Sequence, residues 1–89
     1  MQTAPLTLTV KNRDGIIFQG EIISLTSYNE KGKFDILQRH ANFISLIKKE
    51  IEFRLINKET KKIEIDNAVL KIINDQVEIY LGIGKSPTV

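Results

Sequence analysis

Cysteine is absent from this 89-residue chain, so neither a disulfide nor a thiolate metal site can supplement its core. That absence fits a reducing compartment. Histidine is almost absent too, with His40 standing alone inside "GKFDILQRHANFISLI", residues 32–47. One histidine among dispersed carboxylates does not supply the three or four convergent ligands of a metal centre. Nor does it supply a nucleophile–base pair. The nearest hydroxyl, Ser45, lies five residues along an extended chain, where the two side chains point to opposite faces. Asp35 with Asp14 or Glu30 would make a carboxylate pair, but all three sit in or beside turns, in water, where perturbed proton affinities are rare. "GIGK" at 82–85 lacks the glycine spacing and the following helix of a phosphate loop. No catalytic group, metal or cofactor is therefore expected.

Long apolar runs are missing as well. The longest span only a few residues, far short of the roughly 20 that cross a bilayer as a helix. The opening "MQTAPLTLTV" has no basic region followed by an apolar one, so no signal peptide is visible and a cytoplasmic location is expected. There is no repeat, low-complexity tract or linker, and a chain of this length makes one domain, residues 1–89. The net charge of +2 comes from scattered lysines, paired only at 48–49 and 61–62, which reads as a solvated surface. No window carries a convincing helical period. The best, "RHANFISLIKKEI", spaces Ala41, Ile44 and Ile47 helically, but its β-branched content favours a strand with a short turn around His40 to Asn42.

What is abundant is isoleucine, the commonest residue, set in period-two alternation. Leu6, Leu8 and Val10 alternate with threonines; Ile51, Phe53 and Leu55 alternate with Glu52 and Arg54; Val77, Ile79 and Leu81 flank Glu78 and Tyr80. Such runs are strands with one wet and one buried face. "NRDG" (12–15), "NEKGK" (29–33), "NKETK" (57–61) and "NDQ" (74–76) punctuate them as turns. An all-β fold follows: an antiparallel two-sheet β-sandwich of about eight to ten short strands. The adjacent pairs Ile16–Ile17 and Ile22–Ile23 imply that both faces of their strand are covered. A small barrel binding single-stranded nucleic acid is the competing reading. Phe18, Phe43 and Phe53 sit in apolar context, however, leaving only Tyr28 and Tyr80 on wet positions for stacking.

The stretch "LTVKNRDGIIFQGEIISLTSYNEKGKFDILQRHANFISLI" resembles the N-terminal β-sandwich domain of the epsilon subunit of F-type ATP synthases, called delta in mitochondria. In that family a turn is followed by phenylalanine and glycine two apart, as Phe18 and Gly20 are here. An isoleucine-rich strand, a glycine-led loop and a "GHAPL"-like segment come next, and Gly32, Ile36, His40, Ala41, Phe43 and Ile47 hold the corresponding places. "IEIDNAVLKIINDQVEIYL" resembles the family's closing strands, so the resemblance covers roughly residues 5–83. There are departures. Asp35 stands for a glycine, Gln38-Arg39 for Pro-Gly, Asn42 for proline, Lys48-Lys49 for Pro-Gly, and Asp66-Asn67-Ala68 for a Gly-Gly turn that Asn67 should preserve.

This resemblance implies a non-catalytic central-stalk subunit that links the gamma subunit to the c-ring in proton-driven ATP synthesis. It would sit peripherally on the cytoplasmic side of the energy-transducing membrane and bind no nucleic acid. The family's C-terminal helical hairpin is expected to be absent, since the chain stops about where the sandwich does; its inhibitory and nucleotide-sensing roles are not carried over. The implied partner surface comprises the loop residues Gly32, Lys33, Phe34 and Asp35 toward the c-ring, with Phe34 as an apolar anchor at the loop tip. Gln38, Arg39 and His40 stand toward gamma, with Lys11 and Arg13 as further candidates.

Overall fold

The four turns read at 12–15, 29–33, 57–61 and 74–76 each end a strand in the computed structural model, which describes residues 5–82. The strands are β1 (Leu6–Asn12), β2 (Gly15–Asn29), β3 (Gly32–Ile36), β4 (Phe43–Leu55), β5 (Thr60–Ile73) and β6 (Gln76–Leu81). Asparagine side chains shape three of the turns. Asn12 Oδ1 accepts the Asp14 N–H at 2.8 Å, Asn29 Oδ1 that of Lys31 at 2.8 Å, and Asn57 Oδ1 that of Glu59 at 2.9 Å. Gly15 and Gly32 close the first two turns at φ of 132° and 117°, a region that a side chain disfavours. Asn74 and Asp75 form the β5–β6 turn with φ of 48° and 66°, both left-handed, as a tight hairpin of this hand requires.

The strands make one sheet in the order β1-β6-β5-β4-β2-β3, and a further β1–β2 pairing closes it. Ile22 of β2 lies opposite Leu6 of β1 and Leu55 of β4, and Leu25 lies opposite Ile36 of β3 and Phe53 of β4. Hence β1 and β3 share one edge of β2, and β4 takes the other. The long strands change partners where their registers slip: β2 against β4 between Ile22 and Ser24 and again between Thr26 and Tyr28, and β4 against β5 at Lys48–Lys49. Bulges of this kind bend a strand and let it turn a corner. Two layers can thus be traced. The second half of β2 with β3, the second half of β4 and the start of β5 form one. The first half of β4, the rest of β5, β6, β1 and the start of β2 form the other.

The core lies between them. Leu6, Leu8, Val10, Leu70, Ile72 and Ile79 meet Leu25, Ile36, Ile51 and Phe53, all at most 1% exposed. Each such side chain contributes roughly 1.5–3 kcal/mol by leaving water. Phe18 and Phe53 stack obliquely with ring centres 4.8 Å apart.

The all-β class matches the expectation, with one closed sheet folded into two layers in place of two separate sheets; the strand count does not match. Among the described residues six strands replace eight to ten, because β2, β4 and β5 run for 15, 13 and 14 residues and each serves both layers. One pairing, β1–β6, is parallel. No turn occurs at Asp66-Asn67-Ala68: these residues continue β5, and Asn67 pairs with Lys48 beside the register slip. The covering expected over both faces of β2 is also absent. Ile22 is buried, whereas Ile16, Ile17 and Ile23 remain 55%, 48% and 37% exposed. Among the described residues there is no helix, and so none long and apolar enough to cross a membrane. The "GIGK" stretch, apart from Gly82, lies outside the described residues, as do both chain ends.

Candidate partner-binding site

The six residues joining β3 to β4 carry little apolar burial. Leu37, Arg39, Ala41 and Asn42 are exposed, and Gln38 and His40 are half-buried. Their conformation is held instead by polar contacts. The His40 N–H donates to the Leu37 carbonyl at 3.1 Å, closing a turn over Gln38 and Arg39. Arg39 takes φ of 64°, and its N–H donates to Asp75 Oδ1 at 2.7 Å. From the other side, the Asn74 N–H donates to Asn42 Oδ1 at 2.9 Å. The turn therefore centres on Gln38-Arg39, just ahead of the His40–Asn42 position expected.

Among the described residues, no acid or hydroxyl group is bonded to His40. Its Nδ1 lies 2.8 Å from the Ala41 carbonyl oxygen, which can only accept, so Nδ1 donates in this contact. The imidazole rests on Phe43 with ring centres 5.0 Å apart, and Phe43 meets Phe34 edge-on at 6.0 Å. This aromatic row crosses from β3 in one layer to the start of β4 in the other. Phe34 is accordingly not a loop-tip anchor. It lies inside β3, half-buried and packed on the core.

The proposed interface residues do not form one cluster. Gly32 and Lys33 stand at the exposed hairpin tip, and Gln38, Arg39 and His40 follow the other end of β3. Roughly 13 Å of strand separates the two ends at about 3.3 Å per residue. Asp35 lies between them and accepts a hydrogen bond from Thr26 Oγ1 at 2.6 Å. Lys11 is drawn away to the outer face, its ammonium 5.3 Å from the centre of the Tyr80 ring. Arg13 is exposed in the β1–β2 turn, outside the loop group.

Sequence reasoning missed an apolar hollow beside the loop. Ile23, Leu37 and Ile56, which are 37%, 57% and 51% exposed, line it with Pro5, Glu21 and Gln38 around a volume of about 660 Å³. The pairings explain the meeting: β4 ends at Leu55 opposite Ile22 and β3 ends at Ile36 opposite Leu25, so Ile56 and Leu37, just past those ends, flank Ile23. Separate runs of the chain supply each member, and only the Ile22–Ile23 doublet hinted at one of them. Among the described residues, no three His, Asp or Glu side chains gather to hold a metal. One clear proton-affinity change lies away from the loop. Tyr80 donates to Glu78 Oε1 at 2.5 Å, and this hydrogen bond, with lesser help from desolvation and the carboxylate's charge, raises the phenol above its ordinary value of 10.0.

Residues 5–82 match the family described as ATP synthase, Delta/Epsilon chain, beta-sandwich domain. The chain is 36% identical over 59 residues to the ATP synthase epsilon chain of Sulfurimonas denitrificans, covering 66% of this chain and 44% of that one. It is 42% identical over 43 residues to the epsilon chain of a Nitratiruptor species, covering 48% and 33% respectively. The matches thus span less than half the length of these relatives. A chain in the Euglena gracilis mitochondrial ATP synthase, solved by cryo-EM as OSCP/F1/c-ring, superposes with a TM-score of 0.82 at 17% identity, over 91% of this chain and 52% of that one. One in the Tetrahymena thermophila mitochondrial ATP synthase central stalk and c-ring gives 0.74 at 7% identity, over 91% and 66%. Identities this low establish a shared fold.

Proposed function

This chain belongs to the ATP synthase delta/epsilon family through its β-sandwich domain, and on that premise we propose that it is a non-catalytic subunit of an ATP synthase central stalk. In this role it binds gamma and approaches the c-ring, so that rotation driven by proton flow is passed to the catalytic head. It is held at the cytoplasmic side of the membrane through the complex. The observation that carries the reading is the family match over residues 5–82, with His40 and its loop fixed at one end of a rigid sheet. Loops of this kind on a stiff scaffold are natural recognition surfaces.

The geometry supports two contact regions. The Gln38–His40 loop with the Ile23–Leu37–Ile56 hollow offers an apolar centre beside polar groups, the composition that protein interfaces favour, and is assigned to gamma. The Gly32–Lys33 hairpin tip, with Asp35 behind it, is assigned to the c-ring loops. Nucleic-acid binding is poorly served by contrast. Phe18, Phe34, Phe43 and Phe53 pack into or against the core, and Tyr28 and Tyr80 each carry a lysine ammonium over one ring face, at 5.0 and 5.3 Å.

Capture with purified gamma subunit tests the reading, with a full-length epsilon chain as the positive control. The chain should be retained, and Leu37→Asp should abolish retention while leaving the sheet intact by circular dichroism. Lack of retention of the unaltered chain, where the control binds, overturns the proposal.

A further inference from the structure

We propose that Asp75 is a positioning residue for the Gln38–His40 loop, which makes the β5–β6 turn a working part of the partner-binding end. The inference rests on the stalk reading above. It starts from a shortage: the loop buries little of its own, so few apolar contacts fix its shape. Its order must come largely from polar contacts, and two long-range hydrogen bonds lead to one place.

Three chain segments meet at Asp75. Its carboxylate accepts the Arg39 N–H at 2.7 Å, from 36 residues away in sequence. Its own carbonyl accepts the Thr7 N–H at 3.0 Å, tying the turn to the start of β1. Its neighbour Asn74 donates its N–H to Asn42 Oδ1 at 2.9 Å. The two bonds between loop and turn are reciprocal, since each segment gives a backbone amide to a side chain of the other. They bracket His40, one just before it and one two residues after. Between them the imidazole is set by its Ala41 contact and by Phe43. Arg39 sits at φ of 64°, where an L-residue relaxes elsewhere unless it is held. A bond to an ionised acceptor is among the stronger ones available for holding it.

Residue chemistry separates the side chain's part from the backbone's. Asp75 itself has φ of 66°, which glycine and asparagine both adopt readily. Asp75→Asn keeps an acceptor oxygen; Asp75→Gly keeps the turn and removes the acceptor. Thermal unfolding checks that both variants fold. Amide exchange at Arg39, followed by NMR on the full chain, should quicken about tenfold or more in Asp75→Gly and stay near wild type in Asp75→Asn. Affinity for purified gamma subunit should fall about tenfold in Asp75→Gly alone. Unchanged Arg39 exchange in Asp75→Gly overturns the proposal, as does equal gamma affinity in the two variants. Failure of the wild-type chain to bind gamma is a different result: it removes the stalk reading, and the positioning role falls with it.

Discussion

The Ser27 hydroxyl donates to the Glu50 carbonyl across 2.8 Å at the point where β2 and β4 lose register. Two steps along β2, from Thr26 to Tyr28, match four along β4, from Glu52 to Lys48, so the ladder leaves backbone groups between them without regular partners. Ser27 is fully buried, and its hydroxyl serves one of those groups. Ser27→Ala should therefore cost about 1 kcal/mol, because a part-buried acceptor loses its donor. A lowered urea midpoint with an unchanged slope is the expected result. A midpoint equal to wild type would mean that the bulge is satisfied without this serine.

A second prediction concerns the Phe18–Gly20 pair, whose spacing was legible in the sequence but not its reason. A Cβ built on Gly20 would lie 3.3 Å from the tip of the Phe18 ring, so the ring lies over the glycine. Gly20→Val should push Phe18 out of its contact with Phe53 and cost about 1–3 kcal/mol. Shortening the ring in Phe18→Leu should make the same glycine change cheaper. A double-mutant cycle on thermal stability measures this, and strict additivity would show that the two positions do not touch energetically.

Alternation and turn residues made much of this fold readable. Leu6, Leu8 and Val10 are buried on one face, as are Val77 and Ile79, because a period of two maps directly onto a pleated strand. Strand length was not readable. A bulge such as that at Lys48–Lys49 continues a strand while breaking its alternation, and so it looks like an end. Asn67 misled for a related reason: it tolerates a turn, but pairing with Lys48 kept it extended. At the candidate site, His40 and its loop were visible as an oddity in an apolar run. Asp75 and the Ile23–Leu37–Ile56 hollow were not, since both are assembled across distant segments that only the sheet pairing brings together.

The outer face offers a titration test. Tyr80 should ionise above its usual range, chiefly because its proton is shared with Glu78. Raising a phenol's affinity for its proton favours the folded state at neutral pH. That contribution is lost as pH climbs through the folded-state value. Glu78→Gln removes both the charge and the strong acceptor, so the tyrosinate absorbance should appear at lower pH in this variant. Coincident curves for wild type and Glu78→Gln would refute the assigned cause.

Left-handed backbone at basic residues gives the last prediction. Arg39, Lys49 and Lys58 have φ of 64°, 74° and 75°, a conformation that glycine takes with less strain. Arg39 and Lys49 also stand where the epsilon pattern carries glycine. Each exchange to glycine should relieve strain and raise stability by about 0.5–1 kcal/mol after the greater freedom of the unfolded chain is counted. Lys49→Gly should gain least, because the Lys49 ammonium lies 5.0 Å from the centre of the Tyr28 ring and that attraction, worth about 0.5–1 kcal/mol at an exposed site, disappears. Arg39→Gly is the informative case. Its amide still reaches Asp75, so the loop should stay ordered while the guanidinium is gone. A more stable protein that binds gamma less well would show that Arg39 is kept strained for its charge. Undiminished binding would make the arginine side chain dispensable to the contact and leave His40 and the neighbouring hollow to provide it.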